Sequence, residues 1–251
     1  MVRILLSNDD GISSEGLAAL HEAMRPVGEV VVVAPDREQS AASHSLSLHR
    51  PLRIERVREG WTAVDGTPTD CVNLALNGLL HDARPDIMLS GVNKGANMGD
   101  DITYSGTVAA AMEATLLGVP AIAVSIAWEP NGPIHYAAAA GFARRLAEET
   151  LRRGLPPGVL LNLNVPNAPA EEIGGVRFTR QGKRIYSNAV VERIDPRGRE
   201  YFWIGGNELD WVRESDTDFD AISKKEVSVT PLQMDLTDFG ALKEMKSWNL
   251  R

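Results

Sequence analysis

Apolar residues recur along this chain with two alternating periods. Ile4-Leu5-Leu6 is a short apolar run with no room for a helix before the polar break at Asn8-Asp9-Asp10-Gly11. It predicts a buried strand, central in a parallel sheet. Residues 16–24 then carry apolar side chains at helical spacing, stopped by Pro26 and Gly28, and 29–34 forms a second strand with valine at 30, 31, 32 and 33. This strand–helix–strand unit opens a parallel sheet with a right-handed crossover. The same alternation continues with strands at 85–89, 121–126 and 159–165 and helices at 108–117 and 136–153. Shorter strands fall within 51–64, and Gly66-Thr67-Pro68-Thr69-Asp70 reads as a turn opening a helix, with Thr67 or Thr69 as its cap. The pattern predicts an α/β fold with a doubly wound, mostly parallel sheet over the first two-thirds of the chain.

From residue 176 the pattern changes. Residues 184–194 and 199–204 are strand-like and flank Asp195-Pro196-Arg197-Gly198, a strong turn signal, so a projecting β-hairpin is expected. Its aromatic residues Tyr186, Tyr201, Phe202 and Trp203 favour a partner subunit over open solvent. The acidic stretch 207–220 reads as a surface loop, 227–231 as a strand and 238–249 as a terminal helix. The expected division is a core over 1–175, an extension over 176–226 and a returning strand with a C-terminal helix over 227–251.

The chain has 251 residues, 43% of them hydrophobic and 24% charged, which suits one α/β domain with an appendage. A net charge of −8 argues against a nucleic acid polymer as partner; a small anionic substrate fits if a bound cation neutralises its site. The single cysteine, Cys71, excludes an intrachain disulfide and a cysteine-rich zinc site, and suits a reducing compartment. The longest largely apolar stretch, 115–128, holds Gly118 and Pro120 and is too short to span a membrane. The N-terminus lacks the pattern of a signal peptide, so a cytoplasmic protein with no membrane partner is expected.

Four loops carry the candidate chemistry: 8–11, 39–45, 90–99 and 104–107. Each follows a predicted parallel strand or leads into a helix, and in a doubly wound sheet such loops gather along one edge. Adjacent carboxylates on a regular strand point to opposite faces. Aiming Asp9 and Asp10 at one point requires the chain to leave the strand, and Gly11 allows that turn. Paired oxygen ligands suit Mg²⁺ or Mn²⁺, although the same residues also suit an Asx-type turn ahead of the helix after Ser13 and Ser14. Ser40, Asn93 and Asn97 offer neutral oxygens or amide donors. Ser105-Gly106-Thr107 at a helix start presents donors to a phosphate, or simply caps the helix. His44 and His49 are either proton-transfer groups or structural, and Arg37 and Lys94 either meet substrate anions or are solvated. The chain has no Gly-x-Ser-x-Gly elbow, no His-Glu-x-x-His pair and no Walker lysine loop.

With these motifs gathered, the sequence resembles the SurE (survival protein E) family of metal-dependent nucleotidases over almost its whole length. The resemblance rests on Asn8-Asp-Asp-Gly-Ile12, Ala34-Pro-Asp-Arg-Glu-Gln-Ser-Ala41, Gly66-Thr-Pro-Thr-Asp-Cys-Val72, Ser90-Gly-Val-Asn-Lys-Gly-Ala-Asn-Met-Gly99, Tyr104-Ser-Gly-Thr-Val108 and Val227-Ser-Val-Thr-Pro-Leu232. It implies a Rossmann-like domain, with a hairpin extension and an exchanged C-terminal segment that build a homodimer or homotetramer. It also implies phosphate release from nucleoside 5′- and 3′-monophosphates, and sometimes action on short polyphosphate. One divalent cation, Mg²⁺ or Mn²⁺, would be held by Asp9, Asp10, Ser40 and Asn93, with the two aspartates catalytic. Asn97, Ser105, Gly106 and Thr107 would meet the phosphate. Attack by water and attack by an aspartate both remain open. Ser43, Thr69 and Lys225-Glu226 depart from the usual pattern, which has glycine, alanine and a Gly-Tyr pair there. The rival reading is a non-catalytic nucleotide-binding module that needs no metal.

Overall fold

The computed structural model describes every residue except 129–131, 188–189, 205–207 and 250–251. The first strand, β1 (Arg3–Ser7), leads into α1 (Glu15–Met24), β2 (Glu29–Pro35), β3 (Ile54–Arg58) and β4 (Trp61–Val64). Then come α2 (Pro68–Leu74), β5 (Ile87–Lys94), α3 (Gly106–Leu116), β6 (Ala121–Ala127), α4 (Tyr136–Arg153) and β7 (Val159–Pro166). The last third holds β8 (Val176–Phe178), β9 (Arg184–Ser187), β10 (Val190–Ile194), β11 (Glu200–Ile204), β12 (Glu208–Trp211), α5 (Asp218–Ser223), β13 (Val227–Gln233) and α6 (Phe239–Met245).

The main sheet has nine strands in the order β3-β4-β2-β1-β5-β6-β7-β13-β8. From β4 to β7 every neighbour is parallel, and β3 and β13 join antiparallel at the two sides. The doubly wound expectation therefore holds. Successive residues of β1 feed opposite layers. Ile4 and Leu6 pack with α1 and α4 residues such as Leu17, Leu20 and Phe142, while Leu5 packs with Cys71, Val72 and Val108 on the α2/α3 side. Being covered on both faces is why β1 reads as an unbroken apolar run.

After β1 the chain builds outward through β2 and β4, then returns to lay β5 on the other side of β1. The β1/β5 boundary is thus the switch point of the sheet, where a crevice opens beyond the strand ends.

Three expectations change. Residues 90–99 do not form one loop: β5 runs on to Lys94, and its register with β6 shifts between Ser90 and Asn93. Such a bulge re-aims the side chains that follow it. The acidic stretch 207–220 is not simply a surface loop. Asn207 lies outside the described residues, but the rest holds β12 and the start of α5, whose Asp218 and Phe219 are buried. Thr217 caps α5 by accepting from Asp220 N–H, so the acidic residues here start a helix. The terminal helix is shorter than 238–249, because Asp238 is its cap and regular helix ends at Met245. The projecting hairpin is present as β10–β11, closed at Asp195 and Gly198, while β9 pairs instead with β12.

Candidate active site

Beyond Ser7 the chain turns sharply, and Asn8 closes the turn. Its Nδ2 donates to the Gly11 carbonyl at 2.9 Å and to Ser14 Oγ at 2.7 Å, and Ser14 in turn caps α1. Gly11 has φ +91°, and a Cβ there would lie 2.9 Å from the Arg37 carbonyl carbon, so only glycine fits. The Asx-type alternative is thus met by Asn8, which leaves both aspartates for other work.

Asp9 is 6% exposed. Burial pushes its carboxyl up to about 6, and the neighbouring Asp10 adds to the rise; the Thr107 hydroxyl, hydrogen-bonded to Asp9 Oδ1, opposes it. Asp10 is half-buried and also raised, first by burial, with the Lys94 N–H donating to Oδ2 at 3.2 Å against that trend. Beside them, Asn93 donates through Nδ2 to the Gly95 carbonyl at 2.8 Å, leaving its amide oxygen as the available ligand atom. Ser40 is exposed and donates to Glu38 Oε1 at 2.6 Å.

Facing this group is the start of α3. Ser105 is its cap, accepting from Val108 N–H at 3.1 Å, so the hydroxyl proton is still available to a ligand. The N–H groups of the first helical turn lack intrahelical partners by position, and the helix dipole is positive there. A Cβ on Gly106 would lie 2.9 Å from Asp9 Cβ and 3.0 Å from Oδ2, so glycine lets the helix dock against the aspartate. Thr107 is fully buried with its hydroxyl committed to Asp9. Asn97 is fixed by two asparagines of β7: its N–H donates to Asn164 Oδ1 at 2.9 Å, and its carbonyl accepts from Asn162 at 2.8 Å and Asn164 at 2.9 Å.

Of the eight residues singled out in the sequence, Asp9, Asp10, Ser40, Asn93, Asn97 and Ser105 line one cavity of about 480 Å³, with Gly106 and Thr107 directly behind Asp9. Lys94 also lines it, whereas Arg37 does not. Tyr104, the first residue of the 104–107 loop, lines it too, as do Glu38 and Asp101, which lie outside the four loops. Among the lining residues four are acids (Asp9, Asp10, Glu38, Asp101) and one is a base (Lys94), whose Nζ sits 4.1 Å over the Trp128 ring. Arg184 pairs with Asp101 at 2.5 Å. The cavity therefore carries excess negative charge, and an anionic ligand would meet repulsion unless a cation intervened. The candidate ligand set Asp9, Asp10, Ser40 and Asn93 offers only oxygens, two of its members being carboxylates, and this set fits a hard divalent cation.

The fold is thus a doubly wound α/β protein with an acidic, oxygen-rich crevice at the switch point of its sheet, faced by a helix N-terminus. Residues 4–188 match the family described as Survival protein SurE. The 5′-nucleotidase SurE of Geobacter sulfurreducens is 57% identical over 99% of this chain and 94% of its own length. That of Myxococcus xanthus is also 57% identical, with the same coverage. A crystal structure of the SurE protein from Aquifex aeolicus superposes with a TM-score of 0.88 at 44% identity, covering 97% of this chain and 98% of that one. The chain belongs to the SurE family.

Proposed function

We propose that this protein is a metal-dependent phosphomonoesterase that releases phosphate from nucleoside 5′-monophosphates. The observation that carries this is the meeting of Asp9 and Asp10 with the Ser105–Gly106 helix start across one cavity. The names of its relatives, 5′-nucleotidases, agree with that chemistry. We extend the reading to nucleoside 3′-monophosphates and short polyphosphate, which present the same terminal phosphate.

Asp9, Asp10, Ser40 and Asn93 would hold one divalent cation, Mg²⁺ or Mn²⁺. Bound there, it would supply Lewis-acid chemistry. The chain's own groups do the rest. The Ser105 hydroxyl, the Gly106 and Thr107 N–H groups and the Asn97 side-chain amide, whose other N–H goes to Ser125 Oγ at 2.8 Å, receive the phosphoryl oxygens and stabilise charge that develops on them. Thr107 holds Asp9 in orientation, and the Lys94 N–H does the same for Asp10. In this reading the two carboxylates are the catalytic residues, one of them serving either as base toward an attacking water or as the nucleophile itself.

We further propose a homodimer or homotetramer built from the 176–226 extension and the 227–251 tail. Phe202, Trp203 and Ile204 on β11 are 57%, 65% and 89% exposed, and Phe239, Leu242 and Met245 on α6 are exposed too. Apolar surface of this extent is ordinarily covered. Among the described residues no helix is long and apolar enough to cross a membrane. A cytoplasmic location fits the single thiol, which is buried.

The test is a substrate panel, 5′- and 3′-nucleotides, tripolyphosphate and a carboxylic ester, with EDTA or Mn²⁺. Metal-dependent phosphate release from nucleotides is expected. Ester hydrolysis alone would overturn the reading.

A further inference from the structure

Glu113 is an acid with no place in the chemistry above, on the mostly apolar buried face of α3, and it is only 6% exposed. Both of its oxygens are engaged. Oε1 accepts from Asn73 Nδ2 of α2 at 2.7 Å, and Oε2 lies 2.8 Å from Nε2 of His44 in the serine-rich loop. A buried carboxylate adds little net stability compared with an apolar residue of similar size, so its presence points to a positioning duty.

The loop it grips needs holding. Between Ser40 and His44, two residues that are not glycine, Ala41 and Ser43, have φ +57° and +51°. The left-handed region is unfavourable for residues with a Cβ, so the loop does not adopt this path by its own preference. External ties hold it instead. Ser43 Oγ donates to the Thr103 carbonyl at 3.2 Å and Ser43 N–H to the Tyr104 carbonyl at 3.3 Å. Ser47 N–H donates to Asp70 at 2.8 Å. His44 is the tie that reaches α3 itself. One wall of the cavity is Ser40 and Ala41 on this loop; another is Tyr104 and Ser105 at the start of α3.

We infer that the His44–Glu113 pair is a latch that sets the distance between these two walls, making His44 a positioning residue for Ser40 and not a catalytic one. The inference rests on the proposed role of Ser40 as a cation ligand.

The experiment compares wild type, His44→Ala, His44→Gln and Glu113→Gln. It reads Mn²⁺ affinity by calorimetry, hydrogen exchange of amides 39–45 in the metal-free protein, and steady-state phosphate release from 5′-AMP. His44→Ala is expected to bind Mn²⁺ about tenfold more weakly, the usual effect of removing a group that orients a ligand. Exchange at 39–45 should speed up in the same variant, while kcat at saturating Mn²⁺ stays within about threefold. His44→Gln, which returns a donor near Nε2, should recover most of the affinity, and Glu113→Gln should weaken it in the same direction as His44→Ala. Wild-type Mn²⁺ affinity and exchange rates in both His44→Ala and Glu113→Gln would overturn the latch. So would a large loss of kcat at saturating Mn²⁺ with unchanged affinity, because His44 would then act on the reaction itself. If wild type released no phosphate, the phosphatase reading would fail by itself, and the affinity and exchange data would still decide the latch.

Discussion

The Thr107 hydroxyl donates to Oδ1 of Asp9 across 98 residues of chain, joining the end of β1 to the first turn of α3. This one bond seats the candidate carboxylate against the candidate phosphate-binding helix. Thr107→Val keeps the shape and removes the donor. At pH 8 it should destabilise the protein by about 1.5–3 kcal/mol, the usual loss for a hydrogen bond to a charged group. Well below pH 6, with Asp9 protonated, the penalty should shrink. Urea denaturation at the two pH values checks this; an equal penalty at both would show that the bond does not serve the ionised form.

Asp9 also sets a pH dependence for the metal-free protein. Its folded-state pKa of about 6 lies above its ordinary value of 3.8, with burial the main cause. Protonation therefore favours the folded state. The stabilisation is fully present below pH 3.8 and is lost as pH rises through about 6, amounting to roughly 3 kcal/mol at most. Asp10 is shifted in the same direction and adds to the trend. Thermal melts in EDTA should show this component, and Mn²⁺ should reverse it by favouring the ionised carboxylates. A metal-free stability that rises between pH 4 and 7 after correction for the other acids would contradict it.

Asp218 is fully buried and accepts backbone N–H bonds from Gly99 at 2.8 Å, Gly182 at 2.9 Å and Phe219 at 2.8 Å. It thus ties the loop after Asn97 to the base of the extension. Asp218→Asn keeps one acceptor oxygen and places an amide donor against N–H groups. A loss of about 2–4 kcal/mol in equilibrium unfolding is expected, together with lowered activity; a change below about 0.5 kcal/mol would show that these bonds are replaceable.

Cys71 is fully buried between α2 and the sheet, and burial pushes its thiol well above its ordinary range. It should react with a thiol reagent only after unfolding, at the rate of global opening. Rapid modification of the native protein would contradict the packing on this face.

What could be read in the sequence follows from how local each signal is. The Ile4-Leu5-Leu6 run, the valines of β2 and the Asp9-Asp10-Gly11 break are short-range patterns, and each lies where the pattern placed it. The supporting contacts were hidden because their partners are remote: Asn97 and Asn164 are 67 residues apart, His44 and Glu113 are 69, Arg184 and Asp101 are 83, and Gly99 and Asp218 are 119. Asn162 and Asn164 left one local trace, two polar residues on the same face of an otherwise apolar strand. The acidic stretch differs from a loop because Asp218 and Asp220 begin a helix, where carboxylates are favourable, and in sequence they resemble the solvated acids of a loop.

The most direct measurement is phosphate release from 5′-AMP by wild type and Asp10→Asn, each with EDTA, Mg²⁺ or Mn²⁺, with folding verified by circular dichroism. Wild type should release phosphate only with a divalent cation. Asp10→Asn should stay folded and lose at least about a hundredfold in kcat/KM, on the order of 3 kcal/mol of transition-state stabilisation. Metal-independent release, or a folded Asp10→Asn as active as wild type, would contradict an active site at the end of β1.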